Sequence, residues 1–433
     1  MLIRRSLAAV TLLSLAAATF GGPAHSRVAA AAQTTVTYWT HVNAPAQKVE
    51  RKLISQFEAK NPSIKINYVV IDFNSLPTKL TTALAGGAGP DIFNYFRSFA
   101  PALVQRGLIA PVDFKAFGVA NQKAFTDRYV PSVIGGYTFG NTIYGVPHEV
   151  SNFAYWVNGT QFKAAGLDPV KDFPKTWADV VRLGKKLTIS KNGKVVQEGI
   201  SLPLYNVVRD TLTLDSMARQ AGGGLFSNDG KKAMLNSPSA IKALQTWADM
   251  VHVSKINDPA LGPTASTDNT DLFGNGTASM TNVGGSWLTS ILQQTYPKVY
   301  NDYNVGPEPR FNTKLKIGSD IYGFGLFVTK ASKNQAAAWK FARFLVDHGN
   351  DYFSGAGIWL GDKAPLSPKL TATLKKWNVF ESTFAEGSFL PPVTNYNQLA
   401  NIIERAIERS VLNGQSAKSS LDQAQQEAQP LMQ

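Results

Sequence analysis

The segment from His148 to Asn152 is where the sequence comes nearest to a catalytic metal motif. A zinc-protease helix needs two histidines four positions apart, with a glutamate beside the first. Here Asn152 stands at the position of the second histidine, so one of the two imidazole ligands is missing. The chain also has no cysteine, and its five histidines are never spaced three or four residues apart. We therefore predict no metal site and no cofactor.

Two glycine-containing segments resemble catalytic loops without completing them. The run from Gly86 to Pro90 lacks the Lys and Ser or Thr of a phosphate-binding loop, and it precedes a predicted strand instead of following one. The run from Gly284 to Leu288 resembles a nucleophile elbow, but Leu288 replaces the closing glycine. Hydrolysis of a glycoside would need two facing carboxylates, for which Glu149 and Asp210 are the candidates.

Aromatic, amide and charged side chains gather where predicted strands end, which favours binding over catalysis. A sugar has an apolar ring face and a rim of hydroxyl groups, so its site needs flat aromatic rings and hydrogen-bonding groups. Ligands of open α/β sheets lie beyond the carboxyl ends of the strands. On these grounds we predict a ligand site formed by Trp39, His41, Asn43, Asn94, Tyr95, Arg97, Glu149, Ser151, Asn152, Gly223, Gly285, Ser286, Trp287 and Tyr396.

Structural roles are the alternative interpretation for several of these side chains. Trp39 could pack in a core, Tyr396 could cap a helix, and Arg97 could form a surface ion pair. Glu149 could pair with the neighbouring His148. Trp287 is the strongest stacking candidate, because the adjacent Gly284 and Gly285 would let a ligand approach the backbone.

The elements that would position this site alternate between strand-like and helix-like patterns, which predicts an α/β fold with a largely parallel sheet. Thr35 to Trp39 predicts a first strand and Pro45 to Lys60 a first helix, with further strands at 64–68 and 91–95. Later helix starts are predicted from N-cap residues at Thr176, Ser237 and Ser332. Strands return at 303–305 and 321–328, and helices at 394–412 and 416–428 end the pattern.

The first 32 residues have the pattern of a cleavable signal peptide. Arg4 and Arg5 precede a 13-residue apolar run, which is shorter than the roughly 20 residues that span a bilayer. Cleavage after residues 24–26 or after Ala30-Ala31-Ala32 fits, and the second site is favoured. The general secretory route is favoured over twin-arginine export. We therefore predict an exported protein in the periplasm.

The chain is basic, with a formal net charge of +13, and removal of residues 1–32, which hold three arginines and no acid, leaves +10. The lysines and arginines are dispersed over predicted helix faces instead of forming a dense run with interleaved aromatic residues. A solvated basic surface is therefore the favoured interpretation, and no nucleic acid is predicted as a partner.

Six groups of residues, in order, resemble the landmarks of the family 1 extracellular solute-binding proteins of ABC importers, which include the maltose-binding-protein-like sugar-binding proteins. The resemblance spans residues 35–430. No single landmark is specific to the family, but six landmarks in the family's order behind an export signal are specific. They are Val36 to Trp39 with Phe57 to Pro62, Gly89 to Phe93, Tyr144 to Pro147 with Tyr155 to Asn158, Pro174 to Trp177, Phe273 to Met280 with Gly285 to Trp287, and Ser332 to Asn334 with Ala337 to Phe341.

This resemblance implies a two-lobed periplasmic-binding-protein-like fold of type II, each lobe a doubly wound mixed sheet with flanking helices. The implied lobes are 33–149 with 304–348, and 150–303 with 349–433, with hinge strands near 149–152 and 303–307. Such a protein captures a solute by closure of the lobes and is not an enzyme. The implied partners are a small-molecule solute, here a mono- or oligosaccharide, and the membrane subunits of an ABC permease, with the binding protein acting as a monomer.

Three alternatives to sugar capture stay open from the sequence. Arg97 and the basic surface favour a polyol phosphate or another anionic solute within the same family. An exported glycosidase would use Glu149 and Asp210. A lectin-like adhesin would bind sugar without closure of its lobes.

Overall fold

A computed structural model describes residues 33–262, 269–314 and 319–432, so the predicted signal peptide lies outside the described residues. The strands are β1 Thr34–His41, β2 Ile64–Ile71, β3 Ile92–Phe96, β4 Thr138–Phe139, β5 Thr142–Ile143, β6 Gly145–Asn152, β7 Ala154–Asn158, β8 Ile189–Lys191, β9 Lys194–Gln197, β10 Met280–Gly284, β11 Tyr303–Gly306, β12 Asp320–Val328 and β13 Ser388–Phe389.

The helices alternate with these strands, as the sequence pattern predicts. They are α1 Ala44–Lys60, α2 Leu76–Ala85, α3 Ala100–Gln105, α4 Phe114–Phe117, α5 Gln122–Thr126, α6 Pro131–Gly135, α7 Gly159–Ala164, α8 Trp177–Leu187, α9 Val207–Gln220, α10 Pro238–His252, α11 Asn269–Gly274, α12 Trp287–Thr295, α13 Pro297–Asn301, α14 Gln335–Val346, α15 Gly349–Ala356, α16 Pro368–Thr371, α17 Trp377–Phe384, α18 Tyr396–Val411 and α19 Ala417–Ala428, with short 3-10 helices at Arg97–Phe99 and Gln429–Met432. Within the described ranges, no helix is both long and apolar enough to cross a bilayer.

The first sheet has the strand order β13-β12-β3-β1-β2, and β6 also pairs with β12. Strand β1 runs parallel to β2 and β3, whereas β12 runs antiparallel to both β3 and β6. The sheet is therefore mixed instead of largely parallel, because the chain returns late in the sequence to insert β12. In β1 the buried side chains alternate, with Val36 and Tyr38 in the core. This period of two fixes which side chains emerge at the end of the strand.

The second sheet has the order β10-β7-β11, with both neighbours antiparallel to β7. Two parallel bridges, Glu198 with Ala278 and Ser201 with Thr281, attach the segment before α9 to the β10 side of this sheet. Helices α9, α10, α18 and α19 pack against one another. The second sheet is thus also mixed and is flanked by helices.

The chain passes between the two sheets at two places. Strand β6 ends in the first sheet at Asn152, and β7 begins in the second at Ala154. Strand β11 ends in the second sheet at Gly306, and β12 begins in the first at Asp320. These places adjoin the predicted hinge strands, while the predicted lobe boundaries themselves stay a prediction.

Helix starts follow the predicted caps in two of three cases. Thr176 and Asp179 form a reciprocal capping box at α8, and the Ser237 hydroxyl accepts a hydrogen bond from the amide of Ala240 at α10. The predicted cap at Ser332 is wrong, because α14 begins only after Asn334. The Ser332 hydroxyl instead donates to the carboxylate of Asp91, which lies just before β3.

Candidate functional site

A cavity of 380 Å³ lies between the strand ends of the first sheet and helices α9, α11 and α12. Its wall combines aromatic rings with amides and carboxylates. The lining residues are His41, Val42, Asn43, Ala44, Asp72, Phe73, Asn74, Glu149, Phe153, Leu204, Tyr205, Asn206, Val208, Arg209, Leu212, Thr270, Asp271, Trp287, Ile291, Tyr322 and Phe324.

Aromatic rings form the first-sheet side of the cavity. His41, the last residue of β1, stacks on Phe324 with ring centroids 4.5 Å apart, and Phe73 lies edge-on to both rings. Burial lowers the pKa of His41 to about 4, so the imidazole is neutral at pH 7. Its Nδ1 atom is buried and has no hydrogen-bond partner among the described residues. This side therefore offers flat aromatic faces to a ligand.

Trp287 forms the opposite side and is held in place by two neighbours. Its indole nitrogen donates a hydrogen bond to the Tyr322 hydroxyl, and the guanidinium carbon of Arg209 lies 5.3 Å from the centroid of its ring. Arg209 also donates to Asn269, with Nη1 3.2 Å from Oδ1. At Gly285 an added Cβ would lie 2.3 Å from the Ser151 hydroxyl and 2.6 Å from the Tyr322 hydroxyl. Glycine is therefore required for this close packing.

Glu149 is the buried carboxylate of the cavity. Its residue is only 4% exposed, and among the described residues it has neither a hydrogen bond nor an ion pair. Burial, with a smaller contribution from the charge of Glu50, raises the pKa of Glu149 to about 8. Strand β12 places Phe324 directly opposite Glu149 in the antiparallel ladder, so the carboxyl group and the ring neighbour each other.

Two helices begin at the cavity with asparagine caps. Asn43 Oδ1 accepts a hydrogen bond from the amide of Ala46 at 3.2 Å at the start of α1. Asn206 Oδ1 accepts one from the amide of Arg209 at 3.1 Å at the start of α9. Both caps satisfy helix-end donors and present amide nitrogens close to the cavity.

Tyr205 lies at the mouth of the cavity in a backbone conformation that is rare for a residue with a side chain. Its φ is 62° and the residue is 46% exposed. The side-chain amide of Asn74, which follows β2 of the first sheet, donates to the Tyr205 carbonyl at 3.3 Å. This bond joins a loop of the first sheet to the segment that precedes α9.

The structure brings four of the predicted site residues into the cavity, namely His41, Asn43, Glu149 and Trp287. Ser151 and Gly285 lie immediately behind them, in contact with each other beside Tyr322.

Four predicted site residues, which lie in β3, just after it and on α18, pack against other parts of the protein and do not line the cavity. Arg97 stacks on Phe389 and donates to the backbone carbonyls of Gly136 and Leu390. Asn94 contacts His148 at 3.1 Å. Tyr95 and Tyr396 are both buried against Phe99. The strand end of β3 is thus covered, because a 3-10 helix, α3 and α18 continue from it or pack over it.

The remaining predicted residues also lie outside the cavity lining. Trp39 is half-buried against the core, and Gly223 lies beside Ser239. Asn152 and Ser286 line a second cavity of 250 Å³, reached from the other face of β6, and donate to Thr383 and to the carbonyl of Gly357. Asp210, the second glycosidase candidate, is fully buried in α9 and is not part of the cavity wall.

Sequence reasoning missed several lining residues. Phe73 and Asn74 lie just after the end of β2, as Asn43 lies just after the end of β1, so the strand-end rule could have found them. Tyr205 and Arg209 lie around the start of α9, whereas Tyr322 lies in β12, and no local pattern brings these two segments together. Within the described residues there is no group of three metal-ligating side chains.

Comparison with known proteins places these features in a family. The sequence profile described as bacterial extracellular solute-binding protein matches residues 43–352. The chain is 26% identical over 291 residues to the sn-glycerol-3-phosphate-binding periplasmic protein of Escherichia coli O1:K1, covering 65% of this chain and 62% of that protein.

Two solved structures are similar over nearly the whole chain. One is an ABC transporter solute-binding protein from Thermotoga lettingae bound to α-D-tagatose, with a TM-score of 0.80 and 22% identity, covering 93% of this chain and all of that one. The other is an ABC substrate-binding protein from Listeria monocytogenes in complex with cycloalternan, with a TM-score of 0.79 and 23% identity, covering 92% of this chain and 99% of that one. These similarities confirm the predicted fold class, an α/β two-lobed architecture with helices flanking mixed sheets.

Proposed function

The chain belongs to the bacterial extracellular solute-binding protein family, and on that premise we propose that it is the periplasmic binding component of an ABC importer that captures a mono- or oligosaccharide. The observation that carries this proposal is the cavity between the two sheets, whose walls pair aromatic rings with amide and carboxylate groups. A sugar ring stacks on the first kind of group and bonds to the second. The ligands of the two similar structures, tagatose and cycloalternan, belong to the same chemical class.

In this proposal the lobes are residues 33–149 with 304–348 and residues 150–303 with 349–433. The ligand draws the lobes together by contacting both, so no catalytic group is needed. The signal peptide at 1–32 directs export, and the loaded monomer delivers its solute to the membrane subunits of a permease. The family is one of binding proteins and not of enzymes, which removes the glycosidase alternative.

The experiment that tests the proposal is isothermal calorimetry of the purified chain against mono- and oligosaccharides. We expect at least one to bind, and Trp287→Ala to weaken binding by about 2- to 13-fold, because a stacked ring contributes on the order of 0.5–1.5 kcal/mol. Trp39→Ala is the matched control, since Trp39 lies outside the cavity lining and should leave affinity unchanged. An absence of heat with every sugar would reject the proposal. A stronger effect at Trp39 than at Trp287 would place the site elsewhere.

A polyol phosphate is the second candidate, supported by the relative that binds sn-glycerol 3-phosphate. Its cation would be Arg209, since Arg97 is packed away from the cavity. Calorimetry with glycerol 3-phosphate at low and high salt distinguishes this case, because binding of an anion at an arginine weakens as salt rises.

A further inference from the structure

We propose that the bound solute is an amino-substituted sugar or polyol whose ammonium group is held by Glu149. This inference rests on the proposed function and names the chemical class of the ligand more narrowly.

The carboxyl group of Glu149 has no hydrogen-bond donor among the described residues. Two other buried carboxylates are satisfied by neighbours: Glu50 accepts hydrogen bonds from Tyr38 and Tyr68, and Asp215 accepts them from Arg219 and the amide of Leu225. Glu308 has both carboxylate oxygens buried without a donor among the described residues, but it does not line this cavity. Glu149 is just as buried, yet no described residue donates to it, and it faces the cavity. A carboxylate withdrawn from water is costly unless a donor or a cation approaches it. The ligand is the group that can do so.

The lining of the cavity holds more acidic than basic side chains. Among its described lining residues, Asp72, Glu149 and Asp271 are acidic and Arg209 is the one arginine or lysine. Ser75 donates to Asp72 and Tyr296 to Asp271, so Glu149 is the acid of the lining to which no described residue donates. Arg209 is already engaged by Asn269 and by the ring of Trp287. A lining with three acidic side chains and one arginine contrasts with the net charge of +13 of the whole chain. An acidic cavity in a basic protein therefore reflects the ligand and not the general composition.

An aromatic ring, that of Phe324, lies beside the carboxyl group of Glu149. Phe324 neighbours Glu149 across the β6–β12 ladder, and Phe73 lies edge-on to Phe324 at 5.9 Å. A carboxylate beside aromatic faces is an arrangement that attracts organic ammonium groups. A divalent metal ion would instead need several oxygen ligands, and the described part of the chain has no cluster of three such side chains. The site thus fits an amine on a polyhydroxylated frame.

The experiment compares matched ligands that differ in one substituent. Glucosamine, galactosamine, mannosamine and the fully deacetylated chitobiose are each titrated at pH 7.5, where part of the Glu149 population is already ionised, beside the parent sugar with a hydroxyl group and beside the N-acetylated form. We expect at least one amine to bind about tenfold more tightly than its hydroxyl and N-acetyl counterparts, because only the amine brings a cation.

Variants and salt then assign the preference to Glu149. Glu149→Gln should remove the tenfold preference of the amine over the neutral parent sugar. Glu50→Gln is the matched control, a buried carboxyl group outside the cavity, and should retain the preference. If Glu149→Gln does not fold, the salt dependence of the wild-type protein decides, since only the amine should bind less tightly at high salt.

The outcomes separate the two proposals. Equal or tighter binding of the neutral sugars, or a preference for amines that survives Glu149→Gln, overturns this inference and leaves the proposed function standing. Failure of every member of the panel to bind overturns this inference, and the proposed function is overturned only when the wider series of mono- and oligosaccharides also fails to bind.

Discussion

Burial determines the proton affinity of Glu149 before any ligand enters the cavity. The groups whose charges act on it or respond to it are Glu50 on α1, Tyr322 on β12 and Tyr137, which precedes β4. All three carry either no charge or a negative charge, so none favours ionisation of Glu149. The pKa of Glu149 is therefore about 8, well above that of an exposed glutamate.

This raised pKa predicts a pH-dependent gain in stability for Glu149→Gln. In the unfolded chain the carboxyl group ionises above its ordinary pKa of about 4.5, whereas in the folded chain it holds its proton up to about 8. The wild-type protein thus loses free energy of unfolding as pH rises through this window. We expect the variant to exceed the wild type by about 1–3 kcal/mol at pH 8 and to match it near pH 4. Urea denaturation at both pH values measures this difference.

Glu58→Gln is the control with the opposite sign. The amide of Ile66 and the ammonium group of Lys65 donate to Glu58, and these bonds lower its pKa despite some desolvation. Glu58→Gln should be less stable than the wild type at neutral pH, because it lacks the stabilising ionised carboxylate. This difference in the free energy of unfolding should disappear as pH falls below about 4, where the wild-type carboxylate becomes protonated. A Glu149→Gln protein that is less stable than the wild type at pH 8 would contradict the account of Glu149.

At the scale of elements, α1 begins at the cavity wall, and Asn43 has two roles there. It caps the helix, and its residue lines the cavity. We expect Asn43→Ala to lower the free energy of unfolding by about 1 kcal/mol and also to weaken ligand binding. Thermal denaturation and calorimetry measure the two effects.

Ser237→Ala provides the matched control, because Ser237 caps α10 through the same kind of bond and lies outside the cavity. It should cost a similar stability without a change in affinity. Equal affinities for both variants would restrict Asn43 to its capping role.

The sequence predicts a feature of this site when the residues that produce it lie close together in the chain. His41 and Asn43 could be found because the last residues of a parallel strand emerge at a known edge of the sheet. The capping box of Thr176 and Asp179 was predictable for the same reason, since both partners lie within one turn. Strand β3 follows the same rule, yet Arg97 and Tyr95 were predicted for the site and are packed away from it.

The difference arises from elements that are distant in sequence. Helix α18 and strand β13 begin almost 300 residues after β3, and they supply Tyr396, Phe389 and Leu390 as packing partners for that strand end. The predicted cap at Ser332 fails for a comparable reason. The carboxylate that Ser332 binds, that of Asp91, lies 241 residues away in the sequence. No local pattern encodes such partners.

At the scale of the whole molecule, the chain passes between the two sheets at 152–154 and again between Gly306 and Asp320. Several hydrogen bonds join elements of the two sheets, among them those from Trp287 to Tyr322 and from the amide of Asp320 to Ser216. Ligand contacts with both sides of the cavity can shift the balance between open and closed arrangements. The bond from the Asn74 side chain to the Tyr205 carbonyl is one that spans the mouth of the cavity.

Removing this bond predicts a more open molecule. In Asn74→Ala the closed arrangement loses one hydrogen bond, worth about 0.5–1.5 kcal/mol. We expect a larger radius of gyration in solution scattering without ligand, and an affinity that is about 2- to 10-fold weaker through faster dissociation. Asn401→Ala is the matched control, since the Asn401 amide donates only to Asn397 within α18 in the neighbouring part of the cleft. It should change neither quantity. Scattering curves of Asn74→Ala and wild type that coincide, together with equal dissociation rates, would show that this bond does not contribute to closure.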